Sequence, residues 1–139
     1  MKKGTQISEI MSTEVITLNQ EDSLDTAEMI FKTNNIRHIP VVKEDAIIGM
    51  LSYTDLLRIS FADAVYDDEE TIDTIVYNMF TIEQVMAKKL VSVSSTTTIK
   101  KVAEILSKKE FHAIPVIDHE KLVGIVTTTD LINYLLEQF

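Results

Sequence analysis

Two short segments of the chain each place a hydroxyl side chain three residues before an aspartate. They run from Gly49 to Asp55 and from Gly124 to Asp130, as glycine, two apolar residues, Ser or Thr, two further residues and aspartate. At a helix start this spacing predicts a capping box, in which hydroxyl and carboxylate satisfy backbone amides. The same groups suit a nucleotide, because free amides at a helix start attract an anion and a carboxylate accepts hydrogen bonds from a ribose diol. The residues alone leave both interpretations open.

The two segments belong to an internal repeat in which equivalent residues lie 75 positions apart, as Met11 and Met86 do. The other matched segments are Ile39-Pro40-Val41 with Ile114-Pro115-Val116, and Thr54-Asp55-Leu56 with Thr129-Asp130-Leu131. Both prolines and two of the three glycines occupy matched positions. We therefore expect two copies of one supersecondary unit rather than an extended solenoid.

Each copy predicts the order β-α-β-β-α. The predicted strands cover residues 15–18, 37–42 and 47–51 in the first copy, and 90–93, 112–117 and 122–126 in the second. Ser23 and Thr98 are predicted N-caps of the first helix of each copy. The proline in the middle strand predicts an edge position or a strand end, because proline cannot donate to a ladder. Three strands and two helices bury little apolar surface alone, so the copies should pack on each other.

Composition excludes several classes of function. The 139 residues carry a formal net charge of −9, which argues against binding to a nucleic-acid backbone or an anionic membrane surface. There is no cysteine, so disulfides, thiolate metal sites and cysteine nucleophiles are absent. Three glycines are too few for a phosphate-cradling glycine loop. No signal peptide or run of about 18 apolar residues is evident, so we expect a cytoplasmic protein, and no catalytic motif indicates an enzyme.

The segment that joins the copies, residues 61–81, has its own character. Its acidic residues supply −6 of the net charge, and they are Asp63, Asp67, Asp68, Glu69, Glu70 and Asp73. Its apolar residues have helical spacing, and they are Ile72, Ile75, Val76, Met79 and Phe80. The pattern predicts an amphipathic helix whose acids complement the helix dipole. A divalent-cation site is the alternative interpretation, which we do not favour because no glycine bends the chain around such a site.

Taken together, these features resemble a tandem pair of CBS domains, the Bateman module. The resemblance rests on Ile10-Met11 with Val85-Met86, the helices after Ser23 and Thr98, residues 36–41 with 111–116, and the two Gly…Asp segments. It implies an α+β fold in which two β-α-β-β-α repeats, 7–60 and 82–139, pack by pseudo-twofold symmetry into one module, with a helical linker at 61–81. It also implies a homodimer and clefts between the repeats that bind an adenine nucleotide or related ligand (AMP, ADP, ATP or S-adenosylmethionine).

The resemblance assigns ligand-binding roles to matched residues of both copies. In the first copy they are Ile16, Thr17, Arg37, His38, Ile39, Pro40, Ser52, Thr54 and Asp55, and in the second Val91, Ser92, His112, Ile114, Pro115, Thr127, Thr129 and Asp130. The aspartates would bind ribose, and the isoleucine-proline pairs would form apolar walls. The adenine pocket would be formed around Ile16-Thr17 and Val91-Ser92. The hydroxyls that would approach phosphate or ribose are those of Ser52, Thr54, Thr127 and Thr129. Arg37 and His38 are phosphate candidates, although a solvated strand end is an equally simple interpretation. Because Ala113 replaces His38 in the second copy, the two sites should not bind alike.

The predicted function is therefore a stand-alone, non-enzymatic regulatory module that binds an adenosine ligand and signals by a conformational change. It needs no cofactor, binds no catalytic metal, and acts on a client enzyme or transporter that the sequence does not identify. The alternative is a ligand-free module for structure or protein interaction, with Met79, Phe80, Phe111 and Phe139 available for an interface. Ligand binding and its dependence on the two aspartates would separate these hypotheses.

Overall fold

The computed structural model describes residues 4–62, 79–109 and 111–139. The chain divides into two compact units. We call them the first-repeat unit (Ile16–Lys89) and the second-repeat unit (Met1–Val15 with Leu90–Phe139). Most of the predicted linker helix, residues 63–78, lies outside the described residues. The α+β fold class is confirmed, since each unit combines helices with a sheet.

The first-repeat unit contains a three-stranded sheet. Its elements are β1 (Leu18–Asn19), α1 (Leu24–Asn34), β2 (His38–Lys43), β3 (Ala46–Ser52), α2 (Tyr53–Ala62) and the short α3 (Ile82–Val85). β1 pairs with β2 in parallel, and β2 pairs with β3 as an antiparallel hairpin. The predicted N-cap of α1 is confirmed, because the Ser23 hydroxyl accepts a hydrogen bond from the Thr26 amide at 3.1 Å.

The second-repeat unit contains the matching elements with less sheet. They are a 3-10 helix (Ile7–Glu9), α4 (Ile99–Lys108), β4 (Ala113–Asp118), β5 (Lys121–Thr127) and α5 (Thr128–Glu137). The Thr98 hydroxyl caps α4 by accepting from the Lys101 amide at 3.1 Å. The strand predicted at residues 90–93 is reduced to one parallel bridge between Val93 and Val116. The strand predicted at 15–18 is likewise shifted, since β1 begins at Leu18.

The prediction that the proline lies in an edge strand or at a strand end is wrong for the first copy, where Pro40 is the third of the six residues of β2. β2 is the middle strand of its sheet, between β1 and β3. Its pairing with β1 begins at Val41, one residue after Pro40. In the second-repeat unit the Pro115 carbonyl accepts from the Val93 amide at 3.2 Å, on the side away from β5. Because the N and O of a strand residue point the same way, the missing proline donor does not interrupt the hairpin.

The beginning of each sequence repeat packs in the unit of the other repeat. Ile7, from the start of the first copy, is fully buried in the core of the second-repeat unit. Ile82 and Met86, from the start of the second copy, are buried in the core of the first-repeat unit. Paired backbone hydrogen bonds hold these segments: Ser12 with Ile125 at 2.9 and 3.0 Å, and Ala87 with Met50 at 2.9 and 3.0 Å. The compact units are therefore built from exchanged segments.

Each exchanged segment covers a hairpin glycine closely. A Cβ built on Gly49 would lie 2.8 Å from Met86 Cγ and 2.9 Å from the Ala87 carbonyl oxygen. A Cβ on Gly124 would lie 2.7 Å from Met11 Sδ and 3.0 Å from the Ser12 carbonyl oxygen. Neither glycine has positive φ, so the lack of a side chain, rather than backbone freedom, is what these positions require. The matched methionines and glycines of the repeat thus form cross-paired contacts.

Candidate functional site

In the first-repeat unit the candidate site is the junction between β3 and α2. The Ser52 hydroxyl accepts from the Asp55 amide at 3.0 Å, and Asp55 Oδ2 accepts from the Ser52 amide at 3.2 Å. This reciprocal pair is the capping box that the spacing predicts. Thr54 is exposed on the first turn of α2 and takes no part in that box. The junction therefore combines a capped helix start with a hydroxyl that faces solvent.

The beginning of β2 lies beside this junction. The Arg37 carbonyl accepts from the Tyr53 amide at 2.9 Å, and His38 pairs with Ser52 across the hairpin. Arg37 is exposed and His38 is half-buried. The hairpin register thus brings Arg37 and His38 to the start of α2, as expected if both residues serve the same site.

A basic residue that the sequence prediction did not include also reaches the first site. Arg58 Nη1 lies 3.6 Å from Asp55 Oδ1, and the side chains are 75% and 22% exposed respectively. The signal was present in the sequence, because residues three apart on a helix lie on the same face. Asp55 therefore has one oxygen in the capping box and the other beside a guanidinium.

The second-repeat unit repeats the junction between β5 and α5. The Thr127 hydroxyl accepts from the Asp130 amide at 3.3 Å, and Asp130 Oδ2 accepts from the Thr127 amide at 2.8 Å. The His112 carbonyl accepts from the Thr128 amide at 3.0 Å and from its hydroxyl at 3.2 Å. Thr129 is exposed, as its counterpart in the first unit is. The same capping box, and the same backbone hydrogen bond from the first helical residue to the residue that precedes the hairpin, therefore occur at both helix starts.

The remaining predicted residues divide into exposed and buried groups. Ile16 and Val91 occupy equivalent positions and are each 37% exposed, and the adjacent Thr17 and Ser92 are also exposed. Ile39 and Ile114 are fully buried in the cores of their units, and Pro40 and Pro115 are buried as well. Core packing is the role that the structure gives to these two isoleucines. Their role as walls of a ligand site stays a prediction.

One polar contact outside the predicted site has a clear electrostatic consequence. The side-chain hydroxyl and the backbone amide of Ser95 both donate to the carboxylate of Asp118, the last residue of β4. These hydrogen bonds lower the pKa of Asp118 below its usual 3.8, with a smaller contribution from the charge of His119. The contact holds the loop whose Thr97 carbonyl accepts from the Ile7 amide at 2.7 Å. Asp118 therefore supports the loop on which the exchanged N-terminal segment packs.

The described part of the chain contains neither a group of metal ligands nor a membrane-spanning helix. Among residues 4–62, 79–109 and 111–139, no three His, Asp or Glu side chains are grouped as metal ligands would be. The acidic residues of the predicted linker, residues 63–73, lie outside these ranges. None of the helices described is both long and apolar enough to cross a bilayer.

Comparison with known proteins defines the class of protein. The sequence model of the CBS domain matches residues 7–62 and 82–137. Because the two matches cover most of the chain, it belongs to the CBS-domain family. More particularly, it contains two CBS domains in tandem, which is the Bateman arrangement expected from the repeat.

One curated relative aligns with nearly the whole chain. Homoserine O-acetyltransferase of Methanohalobium evestigatum is 30% identical over 137 residues, which are 97% of this chain and 25% of that protein. The chain spans less than half the length of the curated relatives it first matches.

Solved structures with the same fold include ligand complexes. The CBS domain pair of protein MJ0100, in complex with 5′-methylthioadenosine and S-adenosyl-L-methionine, superposes with a TM-score of 0.81 at 25% identity, over 97% of this chain and 98% of that one. CBSX2 in complex with AMP superposes with a TM-score of 0.79 at 19% identity, over 97% and 98% of the two chains.

Proposed function

We propose that this chain is a regulatory module that binds an adenosine-containing ligand at the helix start of each repeat. The observation that carries the proposal is the duplicated junction, in which a strand ends at a hydroxyl residue and a helix begins with an exposed threonine and a half-buried aspartate. The fold shared with the MJ0100 pair, whose ligands contain adenosine, supports the same conclusion.

The capping boxes are compatible with ligand binding. Each box uses one aspartate oxygen, Oδ2, so that Oδ1 lies outside the box in both repeats. Oδ1 could accept from a ribose hydroxyl, in Asp55 beside the exposed Arg58 guanidinium 3.6 Å away. Thr54 and Thr129 present hydroxyls to solvent on the first turn of helices that are ten residues long. A phosphate or other anion would gain from the positive end of the helix dipole. Capping then fixes the position of the carboxylate rather than competing with the ligand.

Regulation would follow from a population shift. A ligand that binds one conformation of the module more tightly than another favours it by the difference in binding free energy. The predicted linker helix, residues 61–81, joins the two repeats in sequence and is our candidate for transmitting the change. We further propose a non-enzymatic, cytoplasmic role and a homodimer related by twofold symmetry.

Isothermal titration calorimetry with AMP, ADP, ATP, 5′-methylthioadenosine and S-adenosylmethionine tests this function. At least one ligand should bind at millimolar concentration or below. The double variant Thr54→Val with Thr129→Val should weaken binding without changing the free energy of unfolding, because both side chains are exposed and outside the capping boxes. Thr33→Val, at an exposed position of α1, is the matched control. Absence of heat and of a thermal shift with all five ligands would overturn the proposal.

A second function is favoured by one specific feature, the apolar surface of α5. Ile132, Leu135 and Leu136 are 53%, 44% and 65% exposed and are followed by the exposed Phe139, which together give helical spacing. Such a face is typical of a protein-interaction surface. If the module serves only protein interaction, the ligand titrations show no binding, whereas replacing Leu136 with Glu disrupts the assembly measured by native mass spectrometry.

A further inference from the structure

The two candidate sites differ in charge at one pair of equivalent helix positions. Arg58 lies on α2 with its guanidinium 3.6 Å from the Asp55 carboxylate. The equivalent position on α5 is Asn133, three residues after Asp130. Since an asparagine carries no charge, the carboxylate of the second site has no cation supplied from its own helix.

The beginning of the neighbouring strand increases this difference. The first site has Arg37, whose carbonyl accepts from the Tyr53 amide at 2.9 Å, and the second has His112 at the equivalent position. Counted at pH 7, the residues of the first site therefore include two arginines, Arg37 and Arg58, and one carboxylate, Asp55. The second contains one carboxylate and the exposed His112, which the formal charge count at pH 7 takes as neutral. The sites are formally +1 and −1.

Arg58 is also held in a way that allows it to bind a ligand. Its side chain is 75% exposed, and exposed ion pairs at such distances are weakly held and easily exchanged. A phosphate bound at the start of α2 would offer the guanidinium a second anion beside Asp55, and guanidinium is suited to contact two oxygens at once. The same guanidinium would repel a cationic ligand.

We infer that Arg58 determines ligand selectivity: the Asp55 site takes a phosphate-bearing adenosine ligand, and the Asp130 site takes a neutral or cationic one. The inference rests on the proposed function, because both sites must bind adenosine ligands for their preferences to differ. Three adenosine ligands differ in charge in the way this selectivity requires. AMP is an anion near neutral pH, 5′-methylthioadenosine is neutral, and S-adenosylmethionine carries a net positive charge.

The test exchanges the two residues and titrates the full chain with these three ligands. Arg58→Asn should weaken AMP binding at one site by about threefold to tenfold, as expected for the loss of a partly exposed charged contact, and leave 5′-methylthioadenosine within about twofold. Arg58→Lys, which retains the charge, should keep most of the AMP affinity. Asn133→Arg should strengthen AMP binding at the other site and weaken S-adenosylmethionine there. Both positions are exposed, so the variants should keep their folding midpoint.

The possible results separate this inference from the proposed function. If AMP binds and Arg58→Asn leaves its affinity within twofold, the selectivity role is refuted while nucleotide binding stands. If Asn133→Arg has no effect on either charged ligand, the role is refuted in the same way. If wild-type protein binds none of the three ligands, the proposed function itself fails. The AMP preference of the first site should also decrease with added salt, because exposed charges are screened.

Discussion

Replacing Gly49 with alanine tests the segment exchange most directly. The new Cβ would lie 2.8 Å from Met86 Cγ and 2.9 Å from the Ala87 carbonyl oxygen, which is closer than real Cβ atoms approach. The methionine side chain can turn away, but the carbonyl cannot move freely because it accepts from the Met50 amide at 3.0 Å. The substitution therefore forces either the β2–β3 hairpin or the exchanged segment with Met86 and Ala87 to shift.

The magnitude follows from two opposing terms. Overpacking of a well-packed region costs about 1–3 kcal/mol, and the lower entropy of the unfolded chain returns about 0.4–1 kcal/mol when glycine becomes alanine. We expect Gly49→Ala to lower the free energy of unfolding by about 1–2 kcal/mol. Gly124→Ala should cost less, because Met11 is half-buried and the nearest backbone atom, the Ser12 oxygen, lies at 3.0 Å.

Urea denaturation followed by circular dichroism measures these differences. Gly4→Ala is the matched control, because a Cβ there meets nothing within 4 Å, and it should stay within about 0.5 kcal/mol of wild type. The reasoning is refuted if Gly49→Ala is as stable as the control, or if Gly124→Ala loses more stability than Gly49→Ala.

Two further substitutions test the hydrogen bonds that hold local structure. The pKa of Asp118 is lowered in the folded chain by the Ser95 hydrogen bonds, so its carboxylate stabilises the fold at neutral pH, and this contribution is lost as the pH falls below about 3.8 towards the folded value. Asp118→Asn should therefore be less stable than wild type at pH 7 in urea titrations, and the difference should shrink at pH 3; a constant difference would contradict this. Thr127→Ala should lose about 1 kcal/mol with the cap of α5, whereas Thr127→Ser, which keeps the hydroxyl, should stay close to wild type in thermal melts.

Much of the local structure follows from local signals in the sequence. Apolar periodicity places the helices and hairpins, and a hydroxyl residue before an apolar helical run identifies the caps at Ser23 and Thr98, because capping involves residues only three apart. The prolines misled the prediction, since whether a missing donor interrupts a ladder depends on which side of the strand it faces. In the first copy that side is set by the pairing of Leu18 with Val41, which is a long-range property.

The local contacts of the candidate site could also be predicted from the sequence, whereas its long-range contacts could not. The paired Ser52 and Asp55 are local, and the structure confirms their reciprocal hydrogen bonds. The spacing of Arg58 from Asp55, three residues along one helix face, is a local signal as well. The hydrogen bond from the Thr128 hydroxyl to the His112 carbonyl, at 3.2 Å, could not be predicted from local spacing. It depends on how the hairpin aligns residues that lie 16 positions apart in the sequence.

The sequence by itself determined that there are two copies, that glycines and methionines occupy matched positions, and the order of the elements, apart from the first strand of the second copy. It could not determine which copy each methionine covers. Met11 and Met86 are preceded by the same apolar pattern, and both hairpins offer a glycine, so either pairing satisfies the periodicity equally well. Only the tertiary structure places Met11 on Gly124 and Met86 on Gly49. The physical reason is that a repeat encodes the shape of a contact surface, whereas the chain path decides which of two equivalent surfaces a segment reaches.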